Sequence, residues 1–326
     1  MSLIASPQAL ARKGILSMNR RNLTYIQRFN SRENYPKADD KLLTKQLATA
    51  AGIAVPSLYR VVETVGELKA LDTYLRDLDD FVIKPAHGSG GDGVVVVLER
   101  RDGAFHRANG QTVSIRELKH HTANILHGLF SLGGQPDRAL IEYRVQFDPL
   151  FEKITYRGVP DVRIIVFLGV PVMAMLRLPT KASNGRANLH QGAVGVGIDI
   201  ATGVTRFGVC RDQPVDVHPD TGSPIAGVQV PQWDRLLEIA ASCYELSGLG
   251  YLGADIVFDS TLGPLMLELN ARPGLAIQIA NRLGLDQRLG QVLRAKPEPG
   301  QEPAKRALLA KRLFDAEAQP AAAAEN

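Results

Sequence analysis

The chain has 326 residues, 45% of them hydrophobic, and a formal net charge of +4; that is enough for one large domain or two smaller ones built on a real core. Its two cysteines, Cys210 and Cys243, form no CxxC pair, which excludes a thiolate metal site or a disulfide framework and fits a reducing, cytoplasmic setting. The apolar stretch Ile164 to Met175 holds 12 residues including a Gly and a Pro, and Leu176 adds one more before Arg177, too short to span a bilayer, and the first residues lack the charged-then-apolar pattern of a secretory signal.

Residues 1–38 are basic and polar. Residues 1–60 carry ten Lys/Arg against three Asp/Glu, so the rest of the chain is net acidic. A basic arm of this kind can meet an acidic partner, a nucleic acid or an anionic lipid, or be a solvated surface. Aromatics make up only 6% of the chain, and they are not interleaved with the basic residues as a single-strand platform requires, so no nucleic acid partner is expected. Pro7 to Leu16 reads as a short helix and the remainder of the arm as loop. Asp39 to Ala51 reads as a helix with Leu42, Leu43 and Leu47 at helical spacing, Lys41 and Lys45 one turn apart, and Gly52 as its stop. A short strand follows at Tyr59–Val62. Thr64 and Glu67 form a capping-box pattern opening a helix to about Leu78.

Phe81-Val82-Ile83-Lys84 is a strand, and Val94–Glu99 is another, rich in β-branched residues. Between them lies PAHGSGGDG. Its Gly88, Gly90 and Gly93 match GxGxxG on paper, but a strand follows where a dinucleotide fingerprint requires a helix, and no GK[ST] is present. The stretch is either an ordinary glycine-rich hairpin or a phosphate flap, in which glycine backbone approaches closely and its N–H groups face the oxygens. Lys84 favours the flap, because a charge in an apolar strand is costly without a partner. His87, Gly88, Ser89, Gly90, Gly91 and Gly93 are therefore candidate nucleotide-binding residues.

Ser114 and Glu117 open a second capped helix to about Leu132. Ala139–Tyr143 is a strand able to carry an adenine-contacting hinge. Residues 144–160 are irregular. Asp161–Leu168 and Val170–Leu178 read as an antiparallel pair turning at Gly169. Pro179 to Gln191, with Lys181, Arg186, Asn188 and His190, is a solvated excursion or an anion-binding lid. Val194–Ile200 and Val204–Val209 form a hairpin, residues 213–227 a loop, and Pro231–Ser247 a helix. Ala254–Phe258 and Pro264–Asn270 are two strands joined by turn residues. Glu268 and Asn270 share one face, and Asp255 can lie across from it. Two carboxylates and an amide oxygen suit Mg²⁺, or else are solvated groups on a surface hairpin. Helices are expected near Ile277–Leu283 and Gln287–Ala295. Beyond them residues 296–326 read as a linker, an amphipathic helix at Ala304–Ala318 that either binds cargo or, the favoured reading, folds back onto its own domain, and a disordered end.

In this order, Asp40-Lys41, FVIKPAHGSGGDGV, IEY at 141–143, DVR at 161–163, RANLHQGA at 186–193 and AD(x12)ELN ending in NARPG resemble the ATP-grasp superfamily, and within it the RimK-like alpha-L-glutamate ligases and the alpha-L-glutamate ligase-like proteins. The resemblance implies an α+β fold of two subdomains gripping ATP: a basic arm at 1–38, a first subdomain at 39–138 carrying the flap, a second at 139–295 carrying the adenine hinge and the Mg²⁺ site, and a tail at 296–326. It implies that Lys41 and Lys84 contact ATP phosphates and that Glu142-Tyr143 hold the adenine through backbone groups. Asp161 would reach the ribose, with Glu152 as a rival because the spacing from Tyr143 is long. Arg186 and Asn188 would contact the transferring phosphate or the carboxylate, and Arg272 would join Arg186 in stabilising negative oxygens. Asp255, Glu268 and Asn270 would hold Mg²⁺, or Mn²⁺. The implied activity is an ADP-forming carboxylate–amine ligase acting through an acyl phosphate on an amino acid or peptide. The alternatives are a small-molecule kinase and a non-catalytic module with a basic arm. The region before the first subdomain is short for such ligases, so the acceptor site is expected either to differ from theirs or to be completed by a partner protein. The sequence names neither the substrates nor an oligomeric state.

Overall fold

The structure is a computed structural model that describes residues 6–315 except Ser89 and Leu132. The expected disordered end and the Ser89 position of the flap lie outside the described residues. Two antiparallel sheets organise the chain. The first contains β1 (Leu58–Val62), β2 (Phe81–Pro85), β3 (Val95–Arg101), β4 (Ala104–Arg107), β5 (Thr112–Val113) and β6 (Ala139–Glu142), in the order β1-β6-β2-β3-β4-β5. The second contains β7 (Asp161–Phe167), β8 (Val170–Leu178), β9 (Val194–Ile198), β10 (Thr205–Cys210), β11 (Gln213–Val215), β12 (Tyr251–Asp259) and β13 (Gly263–Asn270), in the order β11-β10-β9-β8-β7-β12-β13.

Alternation within the first sheet decides what the site receives. Phe81, Ile83, Val95 and Val97 turn to one face, where Leu118 and Ile125 of helix Ile115–Leu126 complete a core. Lys84 and Glu142 turn to the other. In the second sheet β8 is buried at every residue, because helices cover it and long neighbours flank it. The 12-residue apolar run is thus the end of β7, the turn at Leu168-Gly169, and most of β8, which is how a strand buried on both faces reads. Leu236, Leu237, Ala240 and Cys243 of helix Trp233–Ser247 belong to this larger core. So do Ala307, Ala310 and Phe314 of helix Pro303–Phe314, which folds back on its own domain as expected. Among the described residues no helix is long and apolar enough to cross a membrane, and both cysteines are free.

Several local expectations are corrected. The loop expected after Leu16 is helical instead: Ser17 caps Met18–Arg20, a π-turn spans Arg21–Ile26, and Gln27–Phe29 closes the segment. Leu16, Tyr25 and Ile26 are buried in the larger core, and the Tyr25 ring meets Phe167 edge-on at 5.5 Å. The basic residues masked three apolar anchors spaced too irregularly for a helical period. The helix expected from Thr64 to Leu78 is a 3₁₀ turn at Val65–Ala70 followed by Leu71–Tyr74, since Val65 and Gly66 are poor helix formers. Helix Ile115–Leu126 stops before Gly128, which takes φ +80° where an added Cβ would lie 2.3 Å from the Gln135 carbonyl oxygen. The short strands β4, β5 and β11 escaped notice because they are polar or brief.

Candidate active site

Asp40 begins the site. Its carboxylate caps helix Lys41–Ala50 by accepting from the Leu42 and Leu43 amides at 2.9 and 3.2 Å, which aims Lys41 and Lys45 off the first turns. Lys45 is buried and pairs with Glu142 Oε2 at 2.9 Å, while Lys84 pairs with Glu142 Oε1 at 2.5 Å. Burial works against a charged Glu142, but the two ammonium groups hold its carboxyl below the usual range. Burial lowers Lys45, with Glu142 opposing.

This corrects one expectation. Glu142 serves through its side chain, as the anchor of two lysines, and its backbone is committed to pairing with β1 and β2. Tyr143 likewise gives its amide to the Ser57 carbonyl at 2.8 Å and its hydroxyl to Asp259 at 2.9 Å. Burial and that carboxylate push the phenol up to about 12. The Tyr143 amide is therefore not free to donate to an adenine.

Lys41 lies between the two halves of the site. Its Nζ donates to the Gly88 carbonyl and stands 3.6 Å from Glu268 Oε2 on β13. The flap base is fixed by His87, whose Nδ1 is 2.7 Å from Asp137 Oδ1 and whose amide donates to Asp137 Oδ2 at 2.9 Å. Asp40 also pairs with Arg138 at 2.5 Å. The flap tip meets the polar loop between β8 and β9: Arg186 pairs with Asp92 at 2.8 Å, a Cβ on Gly91 would touch Arg186, and one on Gly90 would touch Asn188. The structure therefore brings Lys41, Gly88, Gly90, Gly91, Arg186, Asn188 and Glu268 together. Gly93, at φ +75°, closes the flap against Phe130. His190 and Glu152 are exposed.

The acidic hairpin differs from expectation. Asp255 does face Glu268 in register, yet both its oxygens are taken. Arg163 donates to it at 2.7 and 2.6 Å, Arg177 at 2.8 Å and the Asn270 amide nitrogen at 3.2 Å. Burial opposes its charge, but the two guanidinium groups pull its carboxyl below the ordinary range. Asp161 is buried against Arg177, at 2.5 and 2.6 Å, and burial together with Asp255 pushes it up to about 6 against that pairing. It is part of an arginine–carboxylate network and does not present itself to a ribose. Arg272 is exposed, with its guanidinium 5.1 Å from the Tyr35 ring centroid; no hydrogen bond joins it to the hairpin acids among the described residues.

Among the described residues no cluster of three His, Cys, Asp or Glu side chains is placed to hold a metal, and Asp255 is engaged by arginines. Mg²⁺ nonetheless needs only one or two carboxylates when phosphate oxygens complete its shell. Glu268 is one third exposed, and Asn270 gives its nitrogen to Asp255 and keeps its amide oxygen. This reduced donor set fits Mg²⁺. Lys45, Arg163, Arg177, Asp40 and Asp137 were missed as site residues. Lys45 had a signal in its one-turn offset from Lys41, and the arginines had one as charges inside apolar strands.

The model of the sugar-transfer associated ATP-grasp family matches residues 20–294. No curated protein matches the chain. Among solved structures, the biotin carboxylase from Campylobacter jejuni aligns with a TM-score of 0.50 at 15% identity, covering 83% of this chain and 49% of that one. The ATP-grasp ligase PsnB with its minimal precursor aligns with a TM-score of 0.45 at 15% identity over 82% and 64%. A RimK domain ATP-grasp protein from Sphaerobacter thermophilus aligns with a TM-score of 0.46 at 12% identity over 80% and 69%. The chain thus spans less than two thirds of PsnB. The fold is the α+β ATP-grasp fold, with two antiparallel sheets and flanking helices. The superfamily expected from the motif order holds, and within it the chain belongs to the sugar-transfer associated ATP-grasp family.

Proposed function

We propose that the protein is an ATP- and Mg²⁺-dependent ligase joining a carboxylate to an amine, of the kind first suggested by the likeness to RimK-like glutamate ligases. The observation that carries this reading is Lys41, which ties the glycine flap at Gly88 to the acidic edge at Glu268. A triphosphate lying along that line would meet Lys41, Lys84 and the amides of Gly90 and Gly91. Glu268 and the Asn270 amide oxygen would hold Mg²⁺, which when bound offsets the charge of the phosphate oxygens.

The substrate carboxylate attacks the γ-phosphorus, the bond to the bridging oxygen breaks, and ADP leaves. The amine then attacks the acyl carbon, phosphate departs with the electron pair, and the amine loses a proton. Catalysis of this kind is mostly positioning and electrostatics. Arg186, beside the flap, and Asn188 are assigned to the oxygens of the transferring group, and Arg272 to the acceptor side. The family's association with sugar transfer adds amino sugars and uronates to amino acids and short acidic peptides as candidate partners.

A screen of ADP release across those compounds, in pairs, tests the reading. Release that needs both a carboxylate and an amine supports it. Hydroxylamine trapping decides the chemistry: a hydroxamate requires an acyl phosphate, and ADP release without one transfers the reading to a kinase acting on a hydroxyl.

A further inference from the structure

Helix Ile115–Leu126 and the strands β3 to β5 border a cavity of about 440 Å³, whose lining includes Val95, Arg107, Val113, Glu117, Leu118 and His121. It opens on the side of the first sheet away from Lys84: Val95 and Leu118 share a core with Ile83, and Lys84, the next residue along β2, points to the opposite face. Its size suits a small metabolite.

Two charged groups in the lining carry the chemistry. Arg107 Nε is buried with no hydrogen-bond partner, and its Nη1 reaches only the Gln111 amide oxygen, at 3.2 Å. No carboxylate pairs with Arg107 among the described residues, and burial holds it below the usual arginine range. A buried donor left unmade is costly, and a guanidinium fork matches a carboxylate. Glu117 lines the same cavity, with one oxygen, Oε2, accepting from Ser114 N and Oγ at 2.7 Å each. It supplies a negative charge that an ammonium group can answer and that disfavours phosphates and nucleotides. Val95, Val113 and Leu118 offer apolar surface beside them.

The cavity also touches the flap. His121 Nε2 lies 2.8 Å from the Gly93 carbonyl oxygen, and its ring packs 5.3 Å from that of Phe130. Phe130 fills the space where a Cβ on Gly93 would sit, 2.6 Å from the ring. Any ligand that moves His121 therefore acts on the residue that ends the flap. We infer that this cavity binds a small apolar α-amino acid, its carboxylate on Arg107 and its ammonium on Glu117, and that occupancy is passed to the flap through His121 and Gly93.

Isothermal titration of the full chain with L-valine, isobutyrate, isobutylamine and inorganic phosphate tests the site without any turnover, so its outcome is independent of the ligase reading. Saturable L-valine binding, at least about tenfold tighter than isobutyrate or isobutylamine, is expected, with none of phosphate. Arg107→Gln and, as a variant that fills the cavity mouth without touching charge, Val113→Trp should each weaken valine by about tenfold or more. Hydrogen exchange in residues 86–93 should slow on adding valine to the native protein and stay unchanged in His121→Ala, each protein compared at valine concentrations that saturate its own binding isotherm. No saturable valine binding, equal binding by both cavity variants, or a preference for phosphate overturns the site. Slowing that persists in His121→Ala overturns its link to the flap.

Discussion

Lys41 Nζ stands 3.6 Å from Glu268 Oε2 while donating to the Gly88 carbonyl, so one side chain from helix Lys41–Ala50 spans the flap and the acidic edge. Because Glu268 is one third exposed, the loss of Lys41 leaves no buried charge behind. Lys41→Ala is expected to keep its melting temperature within a few degrees and to lose roughly 100-fold in ADP release, the scale of a deleted electrostatic contact. Calorimetry and a coupled ADP assay read the two quantities separately; full activity would remove Lys41 from the site.

Lys84 behaves differently. It sits buried against Glu142, which also takes Lys45. Lys84→Ala leaves Glu142 paired with Lys45 but removes the charged hydrogen bond to its other oxygen, a loss of about 1.5–3 kcal/mol. A clear shift of the urea midpoint is expected beside any loss of turnover, so this variant reports on stability first. An unshifted midpoint would mean that the cluster contributes little.

Acid should reveal the same cluster. The folded-state pKa of Glu142 is depressed by Lys84 and Lys45 despite burial, so the native protein binds its proton less readily than the unfolded chain does. Its contribution is complete above the ordinary glutamate value of about 4.3 and fades as pH falls through and below it. Urea midpoints measured from pH 7 down to pH 3 should fall more steeply in the native protein than in Glu142→Gln. Parallel curves would contradict the assignment.

Asp255 and Glu268 face each other on β12 and β13 but should fail in different ways. Asp255→Ala abandons Arg163 and Arg177 in the interior, at a cost of about 3–5 kcal/mol. Glu268→Gln leaves no such debt; it should stay folded and lose the Mg²⁺ dependence of nucleotide binding. Titration of ATP with and without EDTA checks this. Unaltered Mg²⁺ dependence in Glu268→Gln would move the cation elsewhere.

Arg21 carries the N-terminal segment onto the NARPG turn, donating to the Pro273 carbonyl at 2.7 Å. Arg21→Ala leaves that buried acceptor unmade, worth about 1–3 kcal/mol, and frees the turn that follows Asn270. Thermal melting should show the loss, and limited proteolysis should show earlier cutting near residue 273.

The sequence alone determined the alternation that buries Phe81 and Ile83 and expels Lys84 to the other face, the glycines where backbone must come close, and the hairpin that puts Asp255 opposite Glu268. These follow from strand periodicity and from the missing Cβ of glycine, both local properties. Only the tertiary structure decided which charges spend themselves on one another. Arg163 on β7, beside β12, and Arg177 on β8, one strand further, claim Asp255 and Asp161, and Glu142 is claimed by lysines 97 and 58 positions away. A motif specifies which groups are present. Whether a carboxylate is free for a cation depends on neighbours brought in by sheet order, and pairing across that distance is dictated by packing and desolvation.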